Sequence, residues 1–412
     1  MLEDTKQTKI AKKIANSLKH GNEGQLGTKN NDECYTDAND ILRELSKWAA
    51  LGKFQDKNII CPCDWDILQD KETGEYGVLE YKGKKYTGVY GIKIIFDTDK
   101  FKVLSNNVYK CVKRVEFQSF AGDLWAELNE EKPAVAETTI LTHGEKININ
   151  EEDFTELLSK KLTCNFIKVL VQNARIWGIK SITASGYNPA NGMGIPFQDI
   201  DYSEYDICIT NPPFSLYKEF MNCIVSNIDF IILAPLMNRI APSIAEPLML
   251  KQAYLGFGIE LHLKFNNPTK DNLDHTKIVN CDWITSYSEA QQERNNKHFK
   301  SGIKYETYKD EFIEMPNMTM KDGTHPIKVS MSTYPEDYDC WMLITVGVLD
   351  NLDQDAYDWI ITSCKGFFNK KHPELNPFAH QVSDAMFDVN GTRYFNGQVL
   401  FRKKPAKENN AD

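Results

Sequence analysis

The chain has 412 residues, 42% of them apolar and 26% charged, which places it among folded globular proteins with room for two domains. Its formal charge of −10 argues against a protein that coats nucleic acid without selectivity, although phosphate contact depends on where lysines and arginines gather. No apolar run reaches bilayer length, and the start MLEDTKQTKIAKKIANSLKH lacks the apolar segment of a secretory signal, so a cytoplasmic protein with no membrane partner is expected.

Residues 1–30 read as a polar, mobile arm that ends in the glycine-rich GNEGQLGTKN. From NDECYTDANDILRELSKWAA a helix is predicted, capped by Asp37 or Asn39, with Ile41, Leu42, Leu45 and Trp48 on one face. The next segment, KNIICPCDWD, predicts a short buried strand at Ile59 and Ile60 that ends in a loop. Between residues 68 and 162 short alternating pieces with Gly and Lys-Gly turns predict a β-rich insertion whose end is acidic.

Helical periodicity returns in EEDFTELLSKKLTCNFIKVLVQNARIW and is closed by Gly178. The strand SITAS, the strand YDICIT, a helix from Ser215 and the strand DFIILAPL follow. This βαβα alternation predicts an α/β fold with a mostly parallel sheet. After CDWITSY the order turns irregular, with a helix expected in DQDAYDWIITSCKGFF and a basic strand in GQVLFRKKP. The ten cysteines are scattered, as free thiols would be; Cys61 and Cys63 have no second pair at matching spacing, so no metal is expected.

The segment Asp206–Phe220, DICITNPPFSLYKEF, sets an apolar strand directly against two prolines. Neither proline can donate to a ladder, so the strand stops at Asn211, and the carboxyl ends of parallel strands are where ligands gather. The Asn211 amide oxygen and the Pro212 carbonyl form a pair of acceptors that can grip an amino group on an aromatic ring. Such a nitrogen is a poor nucleophile because its lone pair is delocalised, and two acceptors on its N–H bonds favour the pyramidal form that attacks. Phe214 offers a face for the ring to stack on, and Pro213 holds the bend. As a plain strand-breaking turn this tetrapeptide would arise by chance in roughly one chain in a thousand of this length.

The Asn-Pro-Pro-Phe stretch is the signature of amino-group methyltransferases that use S-adenosylmethionine. With NDECYTDANDILREL, NIICPCDWD, CNFIKVLVQNARIWGIKSITASGYN, AYLGFGIE, CDWITSY and YFNGQVLFRKK in the same order, the chain resembles the EcoRI-type adenine-specific DNA methyltransferases from Asn31 to Lys404. The resemblance implies a Rossmann-like class I methyltransferase core over residues 31–67 and 163–287. It also implies an inserted β-rich lobe over 68–162 and a C-terminal target-recognition region over 288–412.

It further implies S-adenosylmethionine as cofactor, bound by Tyr35, Thr36, Cys61, Pro62, Cys63, Asp64, Ser185 and Asp199. In this scheme Asp64 accepts from the cofactor's ammonium group and Asp199, or Asp201 in its place, from its adenine amino group. The chain departs from the family in having no glycines at Cys61–Asp64, no ribose-binding acid in SITAS and Cys34 where an aromatic is usual. The implied partner is double-stranded DNA, methylated at N6 of an adenine flipped out of the stack, with or without a cognate restriction enzyme. Trp283 would lie near the target pocket, and Arg239, Arg393 and Lys403 are candidate DNA contacts. The alternatives are a methyltransferase of RNA or of protein glutamine, or a relative that binds cofactor or DNA without turnover.

Overall fold

In the computed structural model the described residues are 35–65, 77–102, 111–118, 138–140, 146–149, 164–188, 193–235, 239–258, 263–266, 276–279, 281–296, 301–316, 318–330, 333–381, 388–389, 392–393 and 398–405. The N-terminal arm, Cys34, Asp66 and the acidic end of the insertion lie outside them, and every structural statement below concerns the described residues. The chain divides into two compact units, Met1–Ala234 with Glu260–Ile284, and Pro235–Ile259 with Thr285–Asp412.

In the first unit a two-residue strand, β1 (Tyr35–Thr36), leads into helix α1 (Ala38–Ala50). Asp37 caps the helix by accepting from the Asn39 N–H at 2.8 Å. Ile41, Leu45 and Trp48 are buried on one face as the periodicity requires, while Leu42 stays partly exposed. Glu44 shares that buried face and accepts from the Trp48 indole N–H at 2.8 Å, which satisfies both polar groups.

Strand β2 (Asn58–Cys61) follows, and later β6 (Ser181–Ser185), β7 (Ile207–Thr210) and β8 (Asp229–Pro235) run parallel to it in the order β8-β7-β2-β6. Every residue of β6 and β7 is buried, the pattern of strands covered on both faces. Helix α2 (Asn165–Trp177) feeds β6 and packs against α1; it ends at Gly178, whose φ of 71° makes the left-handed turn. Helix α3 (Tyr217–Ile224) joins β7 to β8, and β9 (Cys281–Thr285) neighbours β8 at the far side.

The stretch 68–162, expected as an inserted β-rich lobe, contributes strands to the central sheet. Its strands β3 (Gly91–Phe96), β4 (Val112–Gln118) and β5 (Lys146–Ile149) continue the central sheet beyond β6, each antiparallel to its neighbour. Gly91 pairs with Ser185, and Ile92 and Ile94 are fully buried, so the insertion covers an edge that β6 would otherwise expose. Only Leu79–Tyr81, Lys84–Thr87 and Thr138–Ile140 form a small sheet of their own, with the predicted Lys-Gly turn at Lys82 and Gly83.

The second unit contains helices α4 (Pro242–Met249) and α5 (Glu289–Asn296) and a five-stranded sheet. Its strands are β10 (Ile313–Glu314), β11 (Ile327–Lys328), β12 (Met342–Thr345), β13 (Tyr357–Ile361) and β14 (Gln398–Lys403), in the order β10-β11-β12-β14-β13. Strand β13 corrects the helix expected in DQDAYDWIITSCKGFF. Tyr357, Trp359 and Ile361 alternate with Asp358 and Ile360 along an antiparallel ladder on β14, where aromatic and β-branched residues are favoured.

Candidate functional site

The parallel strands build the site. From β2 the chain goes to β6 on one side and then returns to β7 on the other, so the carboxyl ends of β2 and β7 flank the point where the strand order reverses. Register brings Cys61 level with Ala184 and Cys208 level with Ile60, so the turn after β2, the end of β6 and the Asn211 corner emerge together. Open α/β sheets leave a crevice at this position because the crossovers diverge.

Asp64 sits in the turn after β2 and is buried. Its Oδ2 accepts from the Thr210 hydroxyl at 2.5 Å, and its Oδ1 accepts from the Asn211 N–H at 3.5 Å and from the Cys164 thiol at 3.7 Å. Thus one carboxylate ties the turn after β2 to the last residue of β7, to the first residue of the Asn-Pro-Pro-Phe corner and to the start of α2. The thiols of Cys61 and Cys208 nearby are pushed up by burial first, with the Asp64 carboxylate adding to the shift, so they stay protonated and pack as small apolar groups. Cys63 is half-buried in the same turn.

The corner has its own constraints. Pro212 is buried, Asn211, Pro213 and Phe214 are half-buried, and the Asn211 Oδ1 is sequestered from solvent. The carbonyl of Pro213 accepts from the Leu216 N–H at 3.0 Å, so a single 3-10 turn, Phe214–Leu216, carries the chain into α3.

The predicted cofactor residues on β1 and β6 reach this corner through short links. The Thr36 carbonyl accepts from the Asn165 side chain at 2.8 Å, next to Cys164. The Trp65 N–H donates to the Ser185 carbonyl at 3.3 Å, and a Cβ at Gly186 would lie 2.7 Å from the Trp65 oxygen, so the two turns approach backbone to backbone. Thr36 Oγ1, Trp65 Nε1, Ser185 Oγ and the Tyr217 hydroxyl are all buried without a hydrogen-bond partner among the described residues. Leaving such an atom unpaired costs about 1–3 kcal/mol, so each is a candidate for a ligand that supplies the missing partner.

Asp199 is exposed on the 3-10 turn Phe197–Asp199, which Phe197 anchors to α3 through an edge-on contact with Phe220 at 5.2 Å. Asp201 caps the following turn, accepting from the Ser203 hydroxyl at 2.6 Å and N–H at 3.0 Å; those bonds lower its pKa and commit it to structure.

Two of the candidate DNA contacts are corrected. Arg239 is 1% exposed and pairs with Asp350 at 2.8 Å inside the second unit, so its charge is spent on a buried carboxylate. Trp283 is 2% exposed on β9, with its ring 5.9 Å from Phe166, and is a core residue. Lys403 is exposed at the end of β14, and Arg393 lies on a two-residue strand paired with Asp388.

A cavity of about 410 Å³ in the second unit is lined by Trp341, Trp359, Phe367, Asn376 and Arg402 among others. Among its charged groups, Arg402 pairs with Asp358 at 3.2 Å and lies over the Trp341 ring at 4.8 Å, and Asp322 accepts from the Thr324 hydroxyl at 2.6 Å.

The sequence reading did not assign roles to Thr210, Cys164, Trp65 or Tyr217. Thr210 carries the clearest signal, being the polar residue that closes an otherwise apolar strand. Fold and site together define an α/β protein with a large mixed sheet, in which the carboxyl ends of the parallel strands bring the Asp64 turn and the Asn211 corner together. Comparison of the chain with protein families, curated proteins and solved structures finds no match.

Proposed function

We propose that the protein is an S-adenosylmethionine-dependent methyltransferase of Rossmann-like core that modifies the N6 amino group of adenine in double-stranded DNA. The observation that carries this reading is the meeting of the Asn211–Phe214 corner with the Asp64 turn at the strand-order reversal. A group held at the turn after β2 and β6 would lie beside a corner built to grip an amine.

The residues present fit that cofactor. Thr36, Trp65 and Ser185 offer buried polar atoms that lack partners, and the close turns at Gly186 and Cys61–Asp64 offer backbone. When bound, the cofactor supplies an electrophilic methyl group.

The chain's own residues do the rest. Asn211 Oδ1 and the Pro212 carbonyl accept from the two N–H bonds of the target amine, which localises its lone pair. Phe214 stacks on the base and holds it out of the duplex. As the C–N bond would form, the methyl–sulfur bond would break with the electron pair left on sulfur, and the methylated nitrogen would then release one N–H proton to solvent, so the corner needs no base.

Methyl-labelled S-adenosylmethionine offered with plasmid DNA, transfer RNA and unfolded protein tests this. Label is expected in the adenine of DNA alone. Label in RNA or glutamine would move the substrate, and label in none would remove the reading.

A further inference from the structure

We infer that Asp64 is a positioning residue that latches the Asn-Pro-Pro-Phe corner to the turn after β2, with Thr210 as its partner, and is not the acceptor for the cofactor's ammonium group. The inference rests on the methyltransferase reading; it assigns a task to Thr210, which that reading leaves unexplained, and a different one to Asp64.

Three observations carry it. Asp64 is 7% exposed, far from the solvated loop acid that the segment CPCDWD suggests. Its two oxygens face donors from the chain itself: the Thr210 hydroxyl at 2.5 Å, the Asn211 N–H at 3.5 Å and the Cys164 thiol at 3.7 Å. Those donors sit where β7 gives way to the corner and where α2 begins, so the carboxylate ties its own turn to two elements whose donors lie 100 and 146 residues further along the chain.

A buried carboxylate is costly unless it is hydrogen-bonded, and here the bonds define where Asn211 begins. Pro212 and Pro213 offer no N–H to anchor the corner from beyond. Its aim is therefore set from the strand side, through Thr210 and Asn211. An acceptor displaced by about 1 Å from its productive position loses on the order of 100-fold in rate, so the latch governs turnover more than cofactor affinity.

Thr210→Val keeps the side-chain shape and removes the hydroxyl. With plasmid DNA and S-adenosylmethionine, kcat is expected to fall by about 10- to 100-fold while the calorimetric Kd for S-adenosylmethionine stays within about threefold; Thr210→Ser should restore most of the rate. Asp64→Asn, which keeps the volume, should behave like Thr210→Val and carries the comparison if that variant fails to fold. Unchanged kcat in Thr210→Val and Asp64→Asn overturns the inference. So does a loss of cofactor affinity that matches the loss of rate, since that is the signature of an ammonium acceptor. A wild-type protein that transfers no methyl group to any substrate removes the methyltransferase reading and this inference with it, a result distinct from wild-type turnover with indifferent variants.

Discussion

At Asn211 an apolar strand gives way to two residues that cannot donate a hydrogen bond, and the acceptors left there carry the chemistry we propose for the site. Asn211→Ala removes one of the two acceptors and should lower the methyl-transfer rate by at least about 100-fold, roughly 3 kcal/mol of transition-state stabilisation, with the Kd for S-adenosylmethionine unchanged. Single-turnover transfer and calorimetry on the same preparation check both halves. At the other end of the same strands Asp206 fixes their register, accepting from the Asn58 N–H at 2.7 Å and the Asn58 side chain at 3.2 Å, with Lys57 at 3.4 Å.

Partial burial opposes the ionised form of Asp206, but the Asn58 bonds and the Lys57 charge outweigh it and hold the pKa below the ordinary value. A carboxyl depressed in the folded state stabilises above its unfolded pKa of about 3.9 and loses that contribution as pH falls through the folded value. Because the side chain is 34% exposed, solvent screening keeps the effect to about 1 kcal/mol or less. Urea unfolding should show Asp206→Asn less stable by about that amount at pH 7, with the difference closing below about pH 4.

Among the elements, α2 depends on its ending. Gly178 holds φ 71°, and a Cβ there would lie 2.2 Å from the Gln55 side-chain oxygen. Gln55 can swing aside, so the cost of Gly178→Ala is chiefly the left-handed backbone, about 1–2 kcal/mol in denaturant unfolding. Such endings are legible in sequence because glycine and proline act locally: Gly178, Asp37 and the two prolines after Asn211 each mark their boundary without help from the fold. The parallel strands are legible as well, since burial on both faces leaves continuous apolar runs such as ICIT.

What local reading loses is anything decided by a distant partner. The segment YDWII has apolar and aromatic residues at spacings that fit either period, and only the ladder on β14 makes it a strand. In the same way GIKIIF reads as an independent lobe until its pairing with β6 places it in the central sheet. At the site, the corner and the turn after β2 are visible as motifs. The bond from Thr210 to Asp64 joins residues far apart in the chain, and nothing local announces it.

At the scale of the molecule, a charge of −10 makes the position of each cation matter more than their number. Arg239 illustrates this, since a basic residue after an apolar strand reads as a phosphate contact and proves to be a buried partner of Asp350, with Arg294 a second cation at 3.7 Å. Removing one member of this buried triad leaves the others under-compensated, so Arg239→Ala should destabilise the second unit by about 3–5 kcal/mol, whereas replacing all three, Arg239→Met and Arg294→Met with Asp350→Leu, should recover much of that loss. Denaturant unfolding of the full chain checks the triad. On the proposed DNA-methyltransferase reading, the salt dependence of DNA binding should have the same slope in that triple variant as in the wild type, where loss of a phosphate contact would reduce it by about 1.

The most direct test is transfer of a deuterated methyl group from S-adenosylmethionine to duplex DNA, followed by mass spectrometry of the released nucleosides. Trideuterated N6-methyl-2′-deoxyadenosine from the wild type and none from Asn211→Ala is the expected result. Unmodified adenine with the wild type, or equal label with Asn211→Ala, would contradict the assignment of the Asn-Pro-Pro-Phe corner as the place where the amine is held.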